Sequence, residues 1–240
     1  MTKHRVVTIG EWEVARKELL MKEKEFTRLR DELSQQIREL PWKKVEKEYV
    51  FDGPDGKETL ADLFCGQSQL LVYHFMFAPD WDEGCPACSL CADHYHPSIV
   101  HLNQRDVKMV TVSRALLEKL LAYQERMGWN FTWVSSFGND FNWDYHVSFT
   151  PEQIERKDVY YNYGLDNSFQ MEELPGLSVF YKDDAGLVFH TYSMYARGLD
   201  AFLGVYRLLD VVPNGRDEAK LPYPMAWVRR HDRYDEEERS

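Results

Sequence analysis

Two thiols spaced two residues apart, Cys85-Pro86-Ala87-Cys88, follow Trp81-Asp82-Glu83-Gly84 and precede Ser89-Leu90-Cys91-Ala92-Asp93. At that spacing the second sulfur can reach the first and close a small disulfide ring, so Cys85 can attack a disulfide and Cys88 can resolve the mixed disulfide. Pro86 suits the first turn of a helix, where its missing N–H costs nothing. Cys85 then falls at the helix N-terminus, where free amide hydrogens and the helix dipole stabilise a thiolate and lower its pKa. A bare Cys-x-x-Cys is a weak signal, and one placed directly after a strand in an α/β pattern is more specific.

Local charge works against this chemistry. No lysine or arginine occurs between Glu58 and Gln104, while Asp82 and Glu83 sit beside Cys85 and oppose a thiolate there. Activation therefore has to come from the helix terminus or from a group brought from elsewhere, such as Arg197 or a histidine. A metal site is the competing reading, because Cys85, Cys88, Cys91 and His94 recur every three residues and suit zinc or an iron cluster. On a regular helix at about 100° per residue, however, Cys91 lies about 120° around from Cys85, so one face cannot present all three sulfurs. The preferred assignment contains no metal. Cys65 and Cys91 read as small buried hydrophobes. His74, inside an apolar run, reads as a core histidine; His94, His96 and His101 face solvent or cap the segment broken by Pro97.

The elements that must hold the dithiol can be read from periodicity. Apolar residues at three- and four-residue steps from Glu11 to Leu40 describe one long amphipathic helix, ended by Pro41, which lies over the domain or pairs with a second copy of the chain. Tyr49-Val50-Phe51 enters a turn at Asp52-Gly53-Pro54-Asp55-Gly56. Leu70 to Phe77 is an unbroken apolar run, as in a central strand covered on both faces. Val107–Val112 is a second strand, Ala115–Met127 a helix closed by Gly128, and Phe131–Ser135 a third strand. Residues 137–167, including Asn139-Asp140-Phe141-Asn142-Trp143-Asp144-Tyr145, are aromatic and polar without a period and read as an irregular insertion. Leu177–Tyr181 and Leu187–Tyr192 flank a turn at residues 182–186, and a last helix spans Asp200–Val212. Strands alternating with helices imply an α/β sheet with parallel members. The expected division is an N-terminal helical extension at 1–45, the α/β domain at 46–215 and a charged tail at 216–240.

With 240 residues, 44% of them hydrophobic, the chain can bury a substantial core. Its net charge of −11 repels nucleic acid and anionic membranes, and no basic patch stands out as a counterweight. No apolar stretch is long enough to span a bilayer. The charged start, Met1-Thr2-Lys3-His4, lacks signal-peptide features, so the expected compartment is the cytoplasm, where clustered cysteines serve redox or metal chemistry rather than structural bridges.

Several segments together resemble a known family. Phe75-Met76-Phe77-Ala78-Pro79-Asp80-Trp81 with Gly84-Cys85-Pro86-Ala87-Cys88-Ser89, then Arg126-Met127-Gly128-Trp129, then Ser135-Ser136-Phe137-Gly138-Asn139-Asp140-Phe141-Asn142, and finally His190-Thr191-Tyr192-Ser193 with Tyr195-Ala196-Arg197-Gly198-Leu199-Asp200 occur in order over nearly the whole chain. They resemble the thioredoxin-like domain-of-unknown-function family 899, whose members are often labelled dithiol-disulfide isomerases. The resemblance implies a thioredoxin-like fold, a central mixed sheet flanked by helices, with Cys85 and Cys88 as the redox pair. Such folds carry a cis-proline facing the dithiol, and Pro175 is the candidate. Trp81, Pro175, Tyr192 and Arg197 are the candidate substrate-binding residues, with His190, Tyr192 and Arg197 at the exit of the final hairpin.

The leading expectation is a thiol-disulfide oxidoreductase acting on a protein or small-molecule disulfide, recycled by a cellular dithiol and requiring no organic cofactor. In a peroxidase variant, peroxide oxidises Cys85 to a sulfenic acid that condenses with Cys88; the sequence supplies no activating arginine for it. The alternatives are a non-catalytic small-molecule or protein-binding module, using the aromatic segment 137–145, or a Cys/His metal site.

Overall fold

The computed structural model describes residues 4–166, 168 and 170–234. Two compact units divide between Pro41 and Trp42. The first carries helix α1 (Ile9–Arg38), slightly earlier than the span expected from periodicity. Thr8 caps it: its hydroxyl accepts from the Glu11 amide, and the Glu11 carboxylate accepts from the Thr8 amide at 3.0 Å. None of its residues is buried.

The second unit is built in chain order from β1 (Lys43–Lys44), β2 (Val50–Gly53), β3 (Gly56–Thr59), β4 (Gln69–His74), α2 (Pro86–Tyr95), α3 (Ile99–Asn103), β5 (Val107–Ser113), α4 (Leu117–Arg126) and β6 (Thr132–Ser135). After these come α5 (Phe141–Asp144), α6 (Pro151–Glu155), a small ladder of β7 (Tyr160–Tyr161) with β8 (Gly164–Leu165), then β9 (Gly176–Lys182), β10 (Val188–Tyr195) and α7 (Gly204–Leu209). Among the described residues, eight strands form one sheet in the order β1-β10-β9-β4-β5-β6-β2-β3. β4, β5 and β6 run parallel, and every other pairing is antiparallel. A central strand leading into the dithiol helix, a parallel neighbour on one side and an antiparallel final hairpin on the other make a thioredoxin-like α/β fold, as expected.

Strand alternation divides the core in two. Tyr73, Met109 and Trp133 bury one face under Cys88, Tyr95, Leu120 and Tyr123 of the helices. Leu70, Val72, Val110, Val112 and Val134 bury the other under Phe51, Phe64 and Phe141. His74 falls on this second side, stacked on Phe141 and Tyr145 with ring centroids 5.5 and 5.9 Å away.

Several expectations shift in detail. The apolar run from Leu70 leaves the ladder after His74, yet Phe75 to Ala78 stay buried, because Phe75 N donates to Val112 O and Ala115 N to Phe77 O. The final helix is shorter than expected: a 3-10 segment, Ala196–Phe202, precedes α7. The aperiodic insertion condenses into α5, α6 and the β7–β8 ladder, whose rings are core: Phe141 and Tyr161 are almost fully buried. Residues 43–44, read as part of the N-terminal extension, pair with β10, and 216–234, read as tail, belong to the second compact unit; 235–240, Asn167 and residues 1–3 lie outside the described residues. Cys65 is exposed, not buried: it occupies the left-handed conformation (φ 48°) that ends a 3-10 turn, so its side chain leaves the core.

Phe141 packs edge-on against both Tyr49 and Phe51 and lies beneath His74. Phe141→Ala leaves a cavity and should cost about 3–5 kcal/mol, read as a lower urea midpoint with an unchanged slope.

Candidate functional site

The dithiol sits where the parallel strands end. Cys85 is the N-cap of α2 and Pro86 occupies its first turn, the placement its missing N–H predicts. Cys85 N donates to Met76 O at 3.1 Å, pinning the start of the helix to the segment that extends β4. The preceding Gly84 is required for space: a Cβ there would lie 2.6 Å from the Phe75 ring and 2.9 Å from the Tyr123 ring. At the other side, Ser89 donates both its amide and its hydroxyl to Cys85 O, each at 2.9 Å.

The two sulfurs are electrostatically unequal. Cys85 is partly exposed and Cys88 is 1% exposed. The Cys88 thiol and the first-turn amides of Cys88 and Ala87 donate to the Cys85 sulfur, and Arg230 adds positive charge; together they outweigh burial and bring its pKa down to about 7. Burial holds Cys88 well above the ordinary thiol range, even though Tyr73 donates to it. Cys91 is likewise pushed up by burial and also receives a hydrogen bond from Tyr73. One thiol is thus shifted towards the thiolate, and the one behind it keeps its proton.

The cation beside Cys85 is Arg230, which sequence reading missed. Its guanidinium donates to Gly84 O at 2.7 Å and to the Tyr123 hydroxyl at 3.0 Å, and pairs with Glu83 at 2.8 Å. Arg126 also grips Glu83, and Arg233 approaches it at 3.6 Å. The acidic residue expected to oppose the thiolate is thus neutralised, its carboxyl held below the usual range chiefly by Arg126. A signal was present: Met225, Trp227 and Val228, just before Arg230, are too apolar for a solvated tail, and Met225 and Trp227 pack on the dithiol side of the core.

The other predicted residues divide. Trp81 packs on the dithiol-side core, and its carbonyl accepts from Lys119 Nζ at 2.9 Å. Pro175 lines a cavity of about 80 Å3 with Tyr73, Met76, Cys88, Cys91 and Leu203, which places it beside Cys88. Its bond is trans, however, since no cis peptide occurs among the described residues; the Pro175 carbonyl accepts from the Tyr161 hydroxyl at 2.6 Å. Arg197 is not brought to the thiols: its side chain is 86% exposed and pairs with Asp200 at 3.2 Å. Tyr192 lies in β10 opposite Val179 and does not line the cavity beside Cys88. His190 packs against Tyr145 and Phe180 of the other core. His94 accepts from Val205 N, tying α2 to the start of α7. Among the described residues no three His, Cys, Asp or Glu side chains converge as a metal site, and no helix is long and apolar enough to cross a membrane.

Residues 1–234 match the model of a family described as "Bacterial protein of unknown function (DUF899)". The chain belongs to this family. No curated protein matches it. Among solved structures, it is similar to the peroxidoxin BcpB of Mycobacterium tuberculosis (13% identity, TM-score 0.46, covering 70% of this chain and 97% of that one). It is also similar to the bacterioferritin comigratory protein of Xanthomonas campestris (14%, TM-score 0.45, 70% and 96%) and to the mitochondrial 2-Cys peroxiredoxin of Plasmodium falciparum (18%, TM-score 0.39, 71% and 98%).

Two outcomes are expected from the site. Iodoacetamide should label Cys85 with a rate that rises through about pH 7 while Cys88 stays unlabelled, and Arg230→Gln should move that midpoint towards the ordinary thiol value, as mapped by mass spectrometry. Gly84→Ala, which drives a methyl into Phe75 and Tyr123, should cost about 1–3 kcal/mol in chemical denaturation.

Proposed function

We propose that this protein is a thiol-disulfide oxidoreductase, with Cys85 as nucleophile and Cys88 as resolving thiol. The observation that carries the reading is the inequality of the two sulfurs: a partly exposed Cys85 lowered to about pH 7 at a helix N-terminus, and a buried Cys88 that stays protonated and donates to it. In the reaction, the Cys85 thiolate attacks one sulfur of a substrate disulfide. The substrate S–S bond breaks, one half leaves as a thiolate, and the other remains joined to Cys85. Cys88 then loses its proton to the departing thiolate or to solvent and attacks the Cys85 sulfur, releasing the second half as a thiol. The product is a Cys85–Cys88 disulfide, and the substrate has gained two electrons. A cellular dithiol reverses the oxidation by the same exchange. Trp81 and Pro175, on either side of the dithiol in the chain, form the substrate-facing surround.

A second reading is favoured by Arg230, the arginine that the sequence did not place near the thiols. In it, a hydroperoxide transfers one oxygen to the Cys85 thiolate, leaving an alcohol or water, and the sulfenic acid condenses with the Cys88 thiol to give the same disulfide and water. Disulfide exchange ranks first, because Arg230 is already committed to Gly84 O, the Tyr123 hydroxyl and Glu83.

The deciding experiment is a redox titration against glutathione, with alkylation and mass mapping of each cysteine. A reversible Cys85–Cys88 disulfide, a stable mixed disulfide in Cys88→Ser and complete loss of disulfide-reductase activity in Cys85→Ser are expected. Thiols that never pair would overturn the proposal. Turnover of tert-butyl hydroperoxide faster than turnover of a disulfide would instead select the peroxidase reading.

A further inference from the structure

On the opposite side of the sheet from the dithiol, an open cavity of about 700 Å3 lies between β1 and the segment that follows it, the α5 region, and β10. It shares no lining residue with the small cavity beside Cys88. Its size suits a small organic molecule.

The walls are aromatic and the polar groups are selective. Tyr49, Trp143, Tyr145, Tyr163 and Tyr195 line it. Three of the four tyrosine hydroxyls are already used: Tyr49 donates to Asp144, Tyr163 to Ser193 O and Tyr195 to Tyr145 O. Tyr145 is the exception. It is 8% exposed, and its hydroxyl has no hydrogen-bond partner among the described residues. Its oxygen is not sealed from solvent: it opens to the cavity, where water or a ligand can take its hydrogen bond.

The lining leaves two cations without a partner. Lys47 is spent on Asp140 and Asp144, both at 2.7 Å. Neither the Lys43 nor the Lys44 ammonium makes a hydrogen bond or ion pair among the described residues, and it is the Lys43 charge that is felt at the imidazoles of both His146 and His190. His190 Nε2 lies 2.7 Å from Ser193 Oγ and 3.0 Å from Tyr192 O, and its Nδ1 has no protein partner among the described residues. Lys43 and the Tyr145 hydroxyl thus offer donors that the fold leaves unused, set among aromatic rings.

We infer that this cavity binds a small aromatic monocarboxylate. The ring system packs against the Trp143 and tyrosine walls, and the carboxylate accepts from Lys43 and Tyr145. A single negative charge is preferred, because Glu46, which makes no ion pair among the described residues, also lines the cavity and would repel a second one, whereas Asp144 is already matched by Lys47.

Isothermal titration of the full-length protein with 1-naphthoate tests the site. One equivalent should bind. Lys43→Ala and Tyr145→Phe should each weaken it by about tenfold, as loss of a charge-assisted or buried hydrogen bond does. Naphthalene-1-methanol, with the same rings and no charge, and 1-naphthyl phosphate, with an extra charge, should both bind more weakly. Cys85→Ser should leave affinity unchanged, which separates this site from the thiol chemistry. Absence of binding, equal affinity for the neutral alcohol, tighter binding of the phosphate, or wild-type affinity in Lys43→Ala would each overturn the inference. Because Lys43 is exposed, that variant remains informative if Tyr145→Phe is poorly folded.

Discussion

The hydrogen bond from Cys85 N to Met76 O joins the two parts of the molecule that the dithiol needs. It ties the extension of the central strand to the first residue of α2, and so determines where the unpaired amides of that helix point. Because Phe75 to Ala78 leave the ladder but remain clamped by Val112 and Ala115, the helix start is attached to a rigid frame instead of a loop. Gly84 lets the chain pass between Phe75 and Tyr123 at a distance no side chain tolerates. The low thiol pKa at Cys85 is a property of this arrangement, since the amides of Ala87 and Cys88 can serve the sulfur only if the turn is held in place.

Around that frame, burial and charge act in opposite senses on neighbouring groups of the same type. Cys88 and Cys91 lie in the apolar layer and keep their protons, whereas Cys85 lies at its edge, within reach of donors and of Arg230. The Tyr73 hydroxyl lies within hydrogen-bond reach of both buried thiols, Cys88 and Cys91. Glu83 illustrates the same principle: beside a thiolate it would be harmful, but with Arg126, Arg230 and Arg233 around it, it anchors the arginine that helps.

What could be read from the sequence was local. The strand before the dithiol, Pro86 at the helix start and the final hairpin follow from residue types over a few positions, and the structure has them. What could not be read depends on long-range placement or on elements too short to show a period. α5 and α6 contain only four and five residues, so the aromatic residues of the insertion serve the core without leaving a pattern. Cys65 misled because residue type reports preference, not conformation, and a left-handed turn turned it outwards. Arg197, close to the hairpin, was a natural candidate for the cation beside Cys85, yet the residue that fills the role lies near the other end of the numbering.

That distance has a consequence for the timing of chemistry during synthesis. Arg230 reaches Gly84 across 146 residues of chain, and the Glu83 clamp includes Arg233. Translation delivers the thiols well before these arginines. Until the C-terminal segment emerges, a nascent chain carries Cys85 without Arg230, and Glu83 beside it has only Arg126 as a counter-charge. Before Arg230 arrives, the Cys85 thiol therefore lacks one of the charges that lower its pKa.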